Sequence, residues 1–178
     1  PDPVWTPQVL DALAAAGASA TFFLVGQRVE QHPELARRLV DEGHQVAHHS
    51  HSHRWDLMFW RPRLLADFDR GLDALAAATD RVPRFFRPPI GILAPEVADA
   101  AHSRGMQLTG WSLRPFDTRL KDPEQLARRI ASKVRDGCIV LLHDGAMRPG
   151  FEPPAVAALP SILGELEARG LAPVTLAE

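Results

Sequence analysis

Two periods alternate along the chain. Short runs of apolar residues with no polar break are separated by longer stretches in which apolar positions recur every three or four residues. The first pattern predicts strands buried on both faces, and the second predicts helices with one buried face. Thr6-Pro7 reads as a helix start, a capping hydroxyl followed by proline in the first turn, with the helix over 8–16 and its stop at Gly17. Strand-like runs follow at 20–25, 45–48, 84–87, 106–112, 138–142 and 172–176. Helical patterns lie between them at 33–42, 61–78, 94–104, 122–135 and 154–169, several ending on glycine.

This order is helix then strand, six times over. Such alternation predicts an α/β fold with a parallel sheet and outer helices, as a barrel or an open sheet. A series of this kind should open on a strand, so the pattern would be completed by one more strand before Pro1. No internal repeat or low-complexity stretch divides the 178 residues, and a single domain is expected.

Composition narrows the function classes. The formal net charge is −2, so no strong field for nucleic acid or an anionic membrane is expected. Cys138 is the only cysteine, which excludes an internal disulfide framework and a thiolate metal cluster. No apolar run is long enough to span a bilayer. No secretory leader is read at the N-terminus, and because the chain opens on Pro1 rather than Met nothing follows from that.

Functional loops in parallel α/β proteins follow the carboxyl ends of strands. That rule selects His49-Ser50-His51-Ser52-His53, Arg87-Pro88-Pro89-Ile90-Gly91, 111–117 and His143-Asp144-Gly145. Four of the eight histidines fall within 46–53. His49 and His53, four apart after a strand, could aim two imidazoles at one divalent ion, although solvated or hydrogen-bonded histidines would look the same. His44 and His48 share that spacing but fall on a strand, where residues four apart diverge. His143 leaves a buried strand at a turn, and imidazole titrates near neutrality, so it suits a general acid. Arg87 and Asp117 could orient another group or form an ordinary salt bridge. Trp111 could be a sugar platform or a core residue.

Taken together, these segments resemble the polysaccharide deacetylase family of metal-dependent carbohydrate esterases. GHQVAHHSHSH (43–53) looks like its metal motif, FFRPPIG (85–91) like its Arg-Pro-Pro-Tyr-Gly motif, GWSLRPFDT (110–118) like its Trp-and-Asp motif and IVLLHDG (139–145) like its Leu-x-His motif. ATFFLVG (20–26) matches a strand of the family, and the motifs occur in family order. The resemblance implies a distorted parallel (β/α) barrel of about seven strands, its first strand missing from this chain. It implies His49 and His53 as metal ligands, with zinc first and cobalt or nickel as alternatives. Arg87 would hold the catalytic aspartate, Asp117 would position the catalytic network and His143 would be the general acid. Ile90 would give its backbone amide to the oxyanion, Leu141 would line the acetyl pocket, and Trp111 would contact substrate.

Two departures qualify this pattern. Ile90 stands where the family has tyrosine, so a hydroxyl contact to sugar is lost while an amide contact survives. The family's Thr-Phe-Asp-Asp-Gly-Pro segment, source of the general base and third metal ligand, is not found, and Pro1-Asp2-Pro3 looks like the residues just after it. The expected activity is removal of acetyl groups from an N- or O-acetylated polysaccharide of chitin, peptidoglycan or xylan type. The 178-residue chain alone is expected to be impaired, since base and one ligand are absent. The alternatives are a non-catalytic carbohydrate-binding member of the same fold and a small-amide hydrolase. An acetylated glycan is the expected partner, nucleic acid is not, and the resemblance places the protein outside the cytoplasm, in the envelope or secreted.

Overall fold

The computed structural model describes residues 1–146 and 148–177, and of Met58 only the backbone. In chain order the elements are α1 (Thr6–Ala15), β1 (Thr21–Leu24), α2 (Gly26–Gln31), α3 (Pro33–Asp41), β2 (Gln45–His48) and α4 (Arg61–Thr79). Then follow β3 (Phe85–Phe86), α5 (Pro95–His102), β4 (Gln107–Leu108), α6 (Pro123–Ala131) and α7 (Pro154–Ala168). Single 3-10 turns lie at Trp55–Phe59 and Pro89–Gly91. The chain divides into two compact units, one formed by 21–110 with Pro1, the other by 2–20 with 111–178.

The first unit is built on a four-stranded sheet in the order β1-β2-β3-β4. All its pairings are parallel, with Leu24 opposite His48, His48 opposite Phe86, and Phe86 opposite Leu108. Parallel neighbours need a long crossover, and helices supply it each time. α4 shows why the sequence reads as a helix here. Leu64, Phe68, Gly71 and Leu75 recur at helical spacing and are buried, and Pro62 sits in the first turn. Leu64 and Phe68 pack with Phe86, Val97, Ala100, Ala101 and Met106 in one core cluster. Truncating Phe68 to alanine would cost about 3–5 kcal/mol.

The second unit packs α6 against α7. Leu126, Ala127 and Ile130 meet Ala155, Ala158 and Ile162, with Leu113, Val140 and Leu142 at the edge of the cluster. The Asp122 carboxylate caps α6 by accepting the Glu124 N–H at 2.9 Å.

The described residues pair into four strands, fewer than the seven of the expected barrel. The reasons are local. In the run 138–142 the Ile139 N–H is taken by the Ser112 hydroxyl at 2.8 Å, while the Ser112 and Leu113 N–H groups both reach the Ile139 carbonyl. A side chain thus replaces a ladder partner, and a single parallel bridge remains, Leu113 to Val140. The run 172–176 contains Pro173, which has no N–H for a ladder, and is not a strand. β3 and β4 are two residues each, shorter than predicted. α2, six residues opening on Gly26, was not predicted, because a short helix beginning at glycine has no pattern to read. Thr6 is not the cap of α1. Trp5 holds that position, and the Asp2 carboxylate accepts the Val4 and Trp5 N–H groups ahead of it. The Thr6 hydroxyl instead accepts the Asp2 N–H and donates to the Asp144 carboxylate at 2.6 Å.

Candidate active site

In the first unit the histidine segment leaves the carboxyl end of β2, as the strand-end rule requires. The His49 ring Nδ1 lies 2.6 Å from the Arg87 carbonyl oxygen. A carbonyl can only accept, so Nδ1 carries the proton and Nε2 is the nitrogen with the lone pair, the arrangement a metal-binding imidazole needs. The His53 ring stands edge-on to it, with centroids 4.9 Å apart. The backbone reaches this pairing through two left-handed residues, Ser50 at φ 63° and His53 at φ 57°. The chemistry of the pair suits a borderline divalent ion such as zinc, cobalt or nickel. Among the described residues, however, no group of three His, Cys, Asp or Glu side chains is placed to hold a metal ion.

The other histidines of the cluster have different surroundings. His48 lies on β2 with its ring between Phe68 and Phe86, at 4.5 and 5.0 Å. Burial, reinforced by the neighbouring imidazoles, pushes its pKa down to about 3, so it is neutral. His44 is also held below the usual imidazole value by burial, partly opposed by Glu42. Both are buried, His48 on β2 and His44 just before it rather than on the strand expected. His51 is buried too, with its Nε2 at 3.7 Å from Glu30.

Arg87 follows β3. Its guanidinium donates to the carbonyls of Thr109 (3.2 Å) and Gly110 (2.6 Å) and lies over the Phe23 ring at 3.8 Å. Burial lowers its pKa to about 10, which leaves it charged at neutral pH. Ile90 sits in the following 3-10 turn at φ 50°. A β-branched residue in that region is strained by about 1–3 kcal/mol, and such strain concentrates at working positions. The turn is closed by the Gly91 and Ile92 N–H groups on Pro88 and Pro89, so the Ile90 amide is not consumed by it.

In the second unit His143 and Asp117 form a couple. The Asp117 carboxylate is buried at 2% exposure. It accepts the His143 main-chain N–H at 2.7 Å and faces the ring Nδ1 at 3.1 Å with both oxygens. The carboxylate therefore fixes the tautomer and directs Nε2 outward for proton transfer. Phe116, just before Asp117, is left-handed at φ 61°, and the Arg114, Arg119 and Arg129 guanidinia surround its ring. Leu141 is buried and joined to Leu113 by its N–H. Trp111 is half-buried beneath Arg114.

Sequence reasoning missed three features. Asp67 on α4 accepts the His51 and Ser52 N–H groups, and the Ser50 hydroxyl accepts the His53 N–H. A carboxylate on the apolar face of α4, four residues before a glycine inside the helix, was the available signal. Trp55, Phe59 and Trp60 are each more than half exposed just after His53.

The first unit thus sets an imidazole pair after β2, and the second sets a histidine held by a buried carboxylate. The chain belongs to the polysaccharide deacetylase family, whose profile matches residues 1–109. It is 35% identical to the peptidoglycan-N-acetylglucosamine deacetylase of Bacillus cereus, over all of this chain and 83% of that protein. Among solved structures, a family 4 acetyl xylan esterase from Clostridium thermocellum in complex with a cobalt ion superposes with a TM-score of 0.89 at 32% identity. That match covers 99% of this chain and 84% of the esterase. A CE4 family pseudoenzyme from Bacillus anthracis superposes with a TM-score of 0.87 at 26% identity, over 97% of this chain and 59% of that one.

Proposed function

We propose that this protein is a metal-dependent deacetylase of an N-acetylated cell-wall glycan, acting outside the cytoplasm. The observation that carries the reading is the His49–His53 pair, with His49 locked by the Arg87 carbonyl in the tautomer that a metal ligand needs. The glycan assignment leans on the Bacillus cereus relative, named for peptidoglycan N-acetylglucosamine. The exposed faces of Trp55, Phe59 and Trp60 offer amphipathic surfaces of the kind that lie against sugar rings. No helix among the described residues is long and apolar enough to cross a membrane.

In this reading His49 and His53 would hold zinc, or cobalt or nickel in its place. The ion, when bound, supplies Lewis-acid polarisation and a water acidic enough to ionise near neutrality. Further parts fall to the chain's own residues. The Ile90 amide donates to the oxygen that gains charge as the acetyl carbonyl becomes tetrahedral. His143 gives its Nε2 proton to the departing sugar nitrogen, or to oxygen in an ester. Asp117 keeps the ring oriented and steadies its charged form. Leu141 and Trp111 shape the space for the acetyl methyl and the sugar. Arg87 fixes the β3 end by its hold on Thr109 and Gly110.

A second reading has its own support. With no third donor beside the histidine pair among the described residues, and a family pseudoenzyme among its structural neighbours, the chain could bind glycan without hydrolysing it. Acetate release from N-acetylglucosamine oligomers and from acetylxylan, with added zinc or cobalt, separates the two. Metal-dependent release lost in His49→Ala and His143→Ala supports the deacetylase. Glycan binding without release, unchanged by metal, supports the binding protein.

A further inference from the structure

The segment 49–53 is held at several polar points of its backbone. The His49 N–H donates to the Leu24 carbonyl at 3.0 Å, and the carbonyls of Ser50 and His51 accept the Gly26 and Gln27 N–H groups at 2.9 Å. The His53 N–H donates to the Ser50 hydroxyl at 3.0 Å. The N–H groups of His51 and Ser52 follow one another in the same segment. Both go to one carboxylate, Asp67, at 3.0 Å on Oδ2 and 3.1 Å on Oδ1. Asp67 is 9% exposed and comes from α4, fifteen residues further along the chain.

These bonds have a conformation to enforce. Ser50 and His53 are left-handed without being glycine, which costs about 1–3 kcal/mol apiece unless the surroundings impose it. A bidentate carboxylate on adjacent amides is a charge-assisted clamp of the strength required. The face of α4 is shaped for the same purpose one turn later. A Cβ placed on Gly71 would lie 2.3 Å from His48 Cε1 and 3.0 Å from the His51 nitrogen. Asp67 and Gly71 thus form one seat, four residues apart: the first binds the segment and the second lets it come close.

We propose that Asp67 is the positioning residue of the His49–His53 pair. Its carboxylate holds the segment in the left-handed form that sets the two imidazoles side by side, so metal affinity depends on a residue that touches no metal. This rests on the reading of His49 and His53 as ligands. Partners of this kind typically contribute 10- to 100-fold in metal affinity.

Asp67→Ala strips two buried amides of their acceptor and risks the fold, so Asp67→Asn, which keeps the shape and one acceptor oxygen, carries the test. Two measurements are made on the full chain. Without metal, amide hydrogen exchange should quicken at His51, Ser52 and His53 while the β1 and β2 amides keep their protection. With Co²⁺, titrated by its visible absorption, Asp67→Asn should weaken binding about 10- to 100-fold and alter the band. A variant that melts earlier yet binds Co²⁺ with unchanged affinity and spectrum overturns the proposal, because the carboxylate would then serve the fold alone. Unchanged exchange at 51–53 also overturns it. Co²⁺ binding that survives His49→Ala overturns the ligand reading and this inference together. The exchange result tells the two failures apart, since it reads the clamp in the absence of metal.

Discussion

Asp117 meets His143 three times over, once through the main-chain N–H and twice through the ring. A carboxylate so used has one task, to present a single ring nitrogen in one tautomer. Asp117→Asn keeps the size but can turn an amide N–H toward Nδ1, which selects the other tautomer. The expected result is a fall in kcat of about 10²- to 10⁴-fold with Co²⁺ affinity unchanged, read by steady-state kinetics and metal titration. Ile90 makes a different prediction. If only its amide serves the reaction, Ile90→Gly should relieve the left-handed strain, raise stability by about 1 kcal/mol and leave kcat within a few-fold. A collapse of kcat would show that the side chain matters. Both residues were legible in the sequence as members of strand-end segments. The Asp67 clamp was not, because its partner amides lie fifteen and sixteen positions earlier and no motif joins them.

At the scale of elements, β2 gathers the consequences of placing histidine in a core. His44 and His48 are kept below the ordinary imidazole pKa by burial, His48 at about 3. Below pH 6.5 the unfolded chain takes up protons that the folded chain refuses, so stability falls as pH drops. His48 alone contributes a slope that approaches roughly 1 kcal/mol per pH unit as pH falls well below 6.5. Denaturant unfolding at pH 7, 6 and 5 should show this loss, and His48→Asn should flatten it. α4 predicts a steric effect: Gly71→Ala drives a Cβ into His48 and the His51 amide. It should destabilise by about 1–3 kcal/mol, although alanine is the better helix former. The unbroken patterns of β2 and α4 made their boundaries readable to within a residue. The later strands were not readable, since pairing at Ser112 and Pro173 depends on single polar or imino positions that an apolar count overlooks.

At the scale of the whole molecule, alternating periods and four ordered motifs carried the family and the parallel α/β class, and the comparisons agree with both. The apolar pattern offers six strand runs and the resemblance a barrel of about seven, while the pairing among described residues gives four. The two-unit division was also hidden, because the second unit joins 2–20 to 111–178 across ninety residues of the first. The His49 and His53 rings stand together after β2, and among the described residues no group of three His, Cys, Asp or Glu side chains is placed to hold a metal ion.

The central question is whether the His49–His53 pair and His143 serve a metal-dependent deacetylase. Acetate release from N-acetylglucosamine oligomers, with Zn²⁺ or Co²⁺, is the direct test, on the protein and on its His49→Ala and His143→Ala variants. Metal-dependent release that both substitutions abolish is expected. A protein that neither binds metal nor releases acetate, yet still binds the oligomers, would contradict the proposal and leave a glycan-binding protein in its place.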